Sequence, residues 1–184
     1  MTRILTAGAY DEALGLLLAR ASLIHSAMHG AGIPYRIIGG LACFFHVEER
    51  DPAAARLTPD IDVAVNREDL PRIIKAAAQA GLSLETPHEP RVAGRKSVFH
   101  LVYLNEKVRP EYLEPMPSSE PVRTEEGILI APVADLVRMK LTSYRLRDKV
   151  HIQDMDGVGL ITSEIEAGLS DALRARLAEV RAQE

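Results

Sequence analysis

Ile38-Gly39-Gly40-Leu41-Ala42, followed by Arg56-Leu57-Thr58-Pro59-Asp60-Ile61-Asp62-Val63, is the stretch on which the reading of this chain turns. Tyr35 to Ile38 is short and ends in two β-branched residues, so it is expected as a strand that runs straight into a diglycine bend. Ile61 to Val65 is apolar apart from Asp62, as expected of a second, buried strand. Alternate residues of a strand face the same side, about 7 Å apart. Asp60 and Asp62 should therefore project together while Ile61 packs the other way. Two neighbouring carboxylates repel each other, and a divalent cation relieves the repulsion. Gly39 and Gly40 carry no Cβ, so a ligand can approach the backbone closely there. A helix beginning at that bend offers free N–H groups and the positive end of its dipole to an anion. The pattern predicts a metal at Asp60 and Asp62 facing a phosphate at Gly39-Gly40.

Working outward, about Tyr10 to Gly30 places Leu14, Leu17, Leu18, Ala21, Ile24 and Met28 near helical spacing, with Gly30, Gly32 and Pro34 as the stop. Leu41 to Val47 is read as one or two helical turns, and the charged stretch Glu48 to Pro59 as a loop. A helix is expected over about Glu68 to Ala80, ended by Gly81, then a short strand at Leu82 to Glu85. A polar stretch, Thr86 to Lys96, leads into Val98 to Leu104, which is read as a central strand. Pro110 to Pro121 contains four prolines and is expected as a surface loop; Val122 to Ile130 is read as a hairpin turning at Glu126-Gly127. Pro132 suits the first turn of a helix running to about Arg147. More helix follows, with capping-box spacing at Ser163 and Glu166 and a buried stripe of Leu169, Leu173, Leu177 and Val180. The fold class is α/β: a small mixed sheet flanked by helices, formed by residues 1–131, with a C-terminal helical segment, 132–184, packed on it.

Composition narrows the function. The chain has 184 residues, 47% of them hydrophobic, and a net charge of −4, which excludes an extensive surface for duplex nucleic acid. Cys43 stands alone in an apolar run and reads as a buried thiol with no disulfide partner. Asp11 and Glu12 interrupt the first apolar stretch and no run reaches spanning length, so neither a leader nor a membrane partner is expected and the location is read as cytoplasmic. Lys140 and Arg147 lie two helical turns apart, among Arg138, Arg145 and Lys149. They read either as phosphate ligands or as a solvated helix end. Asp148 is a candidate helix cap and Asp154 a candidate partner of Lys149 or Arg147. His25, His29, His46, His88 and His151 show no metal-ligand spacing with one another.

The two motifs together, with Lys140, Arg147-Asp148-Lys149 and Asp154 downstream, resemble the signature of the polymerase-β-like nucleotidyltransferase superfamily, in particular its small bacterial minimal and abortive-infection toxin-like members. The resemblance implies Gly39 and Gly40 on a triphosphate, Asp60 and Asp62 on Mg2+, and Lys140 and Arg147 on the nucleotide. It also implies an NTP donor and a hydroxyl acceptor on RNA, protein or a small molecule, with a cognate antitoxin as a further partner. Two departures stand out. The Gly40-to-Asp60 interval is longer than that superfamily's, with Glu48 to Arg56 as the insertion. Its third carboxylate is replaced by His100 on the strand Val98 to Leu104; Glu106 and Glu111 are the nearest acidic substitutes. A neutral imidazole can take a proton near neutral pH, so His100 is a catalytic candidate; it is equally a candidate hydrogen-bonded core residue. The competing reading is a nucleotide-binding or protein-interaction module without turnover, docking a partner through the Pro110 to Pro121 loop.

Overall fold

The computed structural model describes residues 7–85 and 99–183; the stretch Thr86 to Lys96 lies outside them. Its elements in chain order are α1 (Ala7–Gly30), β1 (Tyr35–Ile38), α2 (Gly39–Arg50), β2 (Asp62–Val65), a 3₁₀ turn (Arg67–Asp69), α3 (Leu70–Gln79), β3 (Leu84–Glu85), β4 (Phe99–Tyr103), β5 (Val122–Arg123), β6 (Leu129–Ile130), α4 (Val133–Ser143), α5 (Leu146–Gly157), α6 (Ser163–Ala167) and α7 (Asp171–Arg181). The six strands form one mixed sheet in the order β3-β4-β2-β1-β6-β5. β1 runs antiparallel to β2 and parallel to β6; β4 is parallel to both β2 and β3; β5 and β6 form the expected hairpin. The chain is thus an α/β protein.

Every residue of β1 is buried, so both faces of the sheet are covered at its centre. α1 packs with α3, α2 packs with α4 and α5, and α7 closes over α4 and α5. The stripe Leu169, Leu173, Leu177 and Val180 is buried, and it joins the same apolar core as Ile24, Ile37, Leu41 and Phe99. Cys43 lies in that core, where burial pushes its thiol up to about 11. No helix among the described residues is long and apolar enough to cross a membrane.

Three boundaries differ from expectation for local reasons. α2 continues to Arg50 rather than stopping at Val47, because its buried face runs unbroken from Gly39 to Val47 and the last charged turn simply extends into solvent. The helix expected from Pro132 to Arg147 is two helices: Pro132 is the cap before α4, and Tyr144 adopts a left-handed conformation (φ 50°) that ends it. The cap of α6 is Thr162, whose hydroxyl accepts the Ile165 N–H; the Ser163–Glu166 capping box does not form.

The proline-rich loop is tied to the fold. Asn105 takes a left-handed turn (φ 61°), which asparagine tolerates, and its N–H donates to Met116 O at 2.9 Å. The Met116 N–H donates back to Glu106 O, and Met116 is buried. At the loop's far end, Asp135 in the first turn of α4 accepts both the Ser119 N–H (3.1 Å) and the Ser119 hydroxyl (2.7 Å), while the buried Arg36 guanidinium donates to Ser119 O. The loop expected at the surface is therefore anchored at both ends by buried groups, while much of its length between them stays exposed. Asp135→Ala removes two hydrogen bonds to a charge and leaves Arg36 without its nearest carboxylate. Urea unfolding of that variant is expected to show a loss of about 2–3 kcal/mol, with faster proteolysis between residues 105 and 121.

Candidate functional site

The sheet register places Ile38, Asp62 and His100 in one row across β1, β2 and β4. Row neighbours project to the same side, and Ile61, one residue earlier, is buried on the other. The Asp62 carboxylate rests against the diglycine bend. A Cβ on Gly39, whose φ is +71°, would stand 2.5 Å from Asp62 Oδ2; one on Gly40 would stand 2.9 Å from Thr58 Oγ1. Side chains of the second motif therefore pack directly on both glycines, and a Cβ at either position would force Asp62 or Thr58 to shift. The other Asp62 oxygen, Oδ1, lies 3.3 Å from His100 Nδ1. His100 is thus drawn into this acidic corner instead of the core, because β4 alternates: Phe99, Leu101 and Tyr103 are buried and His100 and Val102 are not.

Asp60 precedes β2 and is half exposed, with its Oδ2 3.9 Å from Arg147 Nη1. β3 brings Glu85 to the register position beside His100, a placement that sequence spacing did not reveal because β3 is only two residues long. Glu106 engages Arg67 and Glu111 lies near Arg109; neither lines the cleft that opens from Asp62, so they do not substitute there for a third acid.

That cleft has a volume of about 210 Å³. Its lining includes Gly39 and Asp62, the loop residues Tyr112 and Met116, and Lys140, Ser143 and Arg145. Lys140 and Arg147 do not share a helix face, since the Tyr144 break puts them on different helices. Lys140 is 5% exposed and donates to Asp148 Oδ1 at 3.1 Å. Asp148, fully buried, also accepts the Ser143 hydroxyl (2.7 Å), the Arg145 N–H (3.1 Å) and Arg145 Nε (2.7 Å). Burial alone would raise its carboxyl; the Arg145 and Lys140 charges and the Ser143 hydrogen bond outweigh that and hold it at about 2. Asp148 so caps α5 as anticipated. Arg145, which the sequence reading left without a role, is the guanidinium at the cleft, while Arg147 points to Asp60. Asp154 pairs with Arg56, not with Lys149 or Arg147.

Next to this hub His151 is buried, and its Nδ1 has no hydrogen-bond partner among the described residues. Burial and the Lys140 charge push it down to about 4. Among the described residues no group of three or more His, Cys, Asp and Glu is disposed to hold a metal ion. Of the two carboxylates expected on magnesium, Asp62 lines the cleft, whereas Asp60 faces Arg147 and is not among its lining residues. No family model matches this chain, and neither the curated proteins nor the solved structures contain a match to it.

Two predictions follow from these contacts. Gly39→Ala carries about 1–2 kcal/mol of left-handed strain plus the collision with Asp62 Oδ2; in an Asp62→Ala background the collision disappears, so the loss in thermal stability is smaller there, and equal losses in both backgrounds count against the contact. For His151 the folded pKa lies below the ordinary histidine value of about 6.5. The unfolded chain then binds the proton that the native state refuses, so stability is intact above that value and falls on acidification toward pH 4. His151→Leu should shrink the pH 7 to pH 5 difference in unfolding free energy by about 1–2 kcal/mol, measured by urea titration at both pH values.

Proposed function

We propose that this protein is a magnesium-dependent nucleotidyltransferase, moving a nucleotidyl group from an NTP to a hydroxyl on RNA, a protein or a small molecule. The observation that carries the reading is the Asp62 carboxylate seated on the Gly39-Gly40 bend, with His100 at its side and two cationic residues across the cleft. Asp60 and Asp62 would hold the magnesium, which when bound neutralises the triphosphate and the departing pyrophosphate. Arg145 and the free N–H groups at the start of α2 orient the phosphates; Lys140 adds positive charge from beneath without leaving Asp148. His100 Nδ1 is near Asp62, so its imidazole is oriented to take the proton of the attacking hydroxyl. In the reaction the acceptor oxygen bonds to the α-phosphorus, the bond to pyrophosphate breaks, and the hydroxyl proton passes to His100. The same reading extends to a toxin-like role restrained by a cognate antitoxin.

A second reading, nucleotide binding without turnover, is favoured by the lack of any described cluster of three metal-ligating side chains. Labelled NTPs with magnesium, total tRNA and protein acceptors separate the two. Transfer is expected from the unaltered chain, with none from Asp60→Ala/Asp62→Ala and about a hundredfold less from His100→Ala. Labelling that survives in the double variant overturns the assignment. Thermal stabilisation by nucleotide without transfer, about 2.7 kcal/mol at a hundredfold excess over Kd, supports the binding module instead.

A further inference from the structure

We infer that the proline-rich loop supplies the base-recognition wall of this cleft, with Tyr112 as the platform on which the aromatic base of a nucleotide stacks. The inference rests on reading Asp62 and its neighbours as a triphosphate site, and adds to it the part of the substrate that the loop residues select.

The cleft lined by Gly39, Asp62 and Arg145 is lined also by Val108, Tyr112, Pro115 and Met116 of the loop, together with the loop's charged Arg109 and Glu114. Val108 is a large aliphatic side chain left nearly half exposed there. Tyr112 is only partly buried, and its hydroxyl makes no hydrogen bond among the described residues, so both ring surface and polar tip remain available to a ligand. A bare polyphosphate has no use for such a wall; a flat heteroaromatic ring does, since every base offers a π-face to an aromatic side chain. The Arg109 guanidinium lies over the Tyr112 ring, 5.9 Å from its centroid, and adds a cation to that face.

The wall is built in advance. The Tyr112 N–H donates to Arg109 O at 3.1 Å, and Met116 is fixed from both sides by Asn105 and Glu106. Ser119, bound to Asp135, ties the loop to α4, the helix that contributes Met139 and Lys140 to the same cleft. A prearranged loop loses little freedom on binding, so the stacking energy is retained as affinity. Arg145 lines the same cleft as Tyr112 and Asp62, so one guanidinium is shared by the residues proposed for base and phosphate.

The test is calorimetry with magnesium and two probes, each NTP in turn and inorganic tripolyphosphate, on the whole chain and on Tyr112→Ala, Tyr112→Leu and Tyr112→Phe. Tyr112→Leu keeps apolar bulk without the ring, so the comparison survives if the alanine variant does not fold. At least one NTP is expected to bind more tightly than tripolyphosphate. The alanine and leucine variants should lose about tenfold in NTP affinity while tripolyphosphate stays within about twofold and Tyr112→Phe stays near the unaltered chain. Equal weakening of both probes, or an NTP no tighter than tripolyphosphate, overturns the stacking assignment while leaving the triphosphate site intact. If neither probe binds the unaltered chain, the triphosphate reading fails and this inference fails with it.

Discussion

Two backbone atoms without side chains decide how this molecule is assembled around its acidic corner. The side chains of Asp62, at the start of β2, and of Thr58, just before it, pack on Gly39 and Gly40 so closely that a methyl group at either glycine would displace them. Asp62 stands in register with Ile38 and His100, and the twelve-residue helix α2 begins at the same corner without a side-chain cap. A positive φ at Gly39 adds a second reason for glycine, independent of the contact. Geometry of the bend, register of the sheet and start of the helix meet at that one approach.

Opposite the bend, the cleft depends on a buried charge. Asp148 is removed from water, a penalty that would be destabilising on its own, and it is satisfied by two cations, a hydroxyl and a backbone N–H. The arrangement is possible only because the chain turns at Tyr144, whose ring lies between Lys149 and Arg176 and whose hydroxyl donates to Glu179. α7 therefore helps to hold a turn that orders Arg145. Through that turn the C-terminal helices contribute to the chemistry of the cleft although α7 does not line it.

The distribution of charge follows the same division. An acidic chain keeps Arg145 and Lys140 at one cleft, facing Asp62, and spends Arg147 on Asp60. The proposed function draws on this closeness of opposite signs, with an anionic ligand accompanied by a cation.

Much of this was legible in the chain itself. The strands Tyr35–Ile38 and Asp62–Val65, the diglycine bend between β1 and α2, the hairpin before Pro132 and the buried stripe of α7 all follow from periodicity and turn chemistry, which act over a few neighbouring residues. The same short-range signals join Asp60 and Asp62 to Gly39-Gly40; the structure seats Asp62 on that bend and sets Asp60 beside Arg147. Those signals give no warning that Tyr144 breaks the helix after Ser143, which puts Lys140 and Arg147 on different helices. Nor could spacing assign Arg145 to the cleft, set Glu85 beside His100, or anchor a proline-rich stretch at both ends. Those outcomes belong to tertiary structure, because each depends on contacts between segments far apart in sequence: the register of β3 on β4, the reach of Asp148 back to Lys140, and the grip of Asp135 on Ser119.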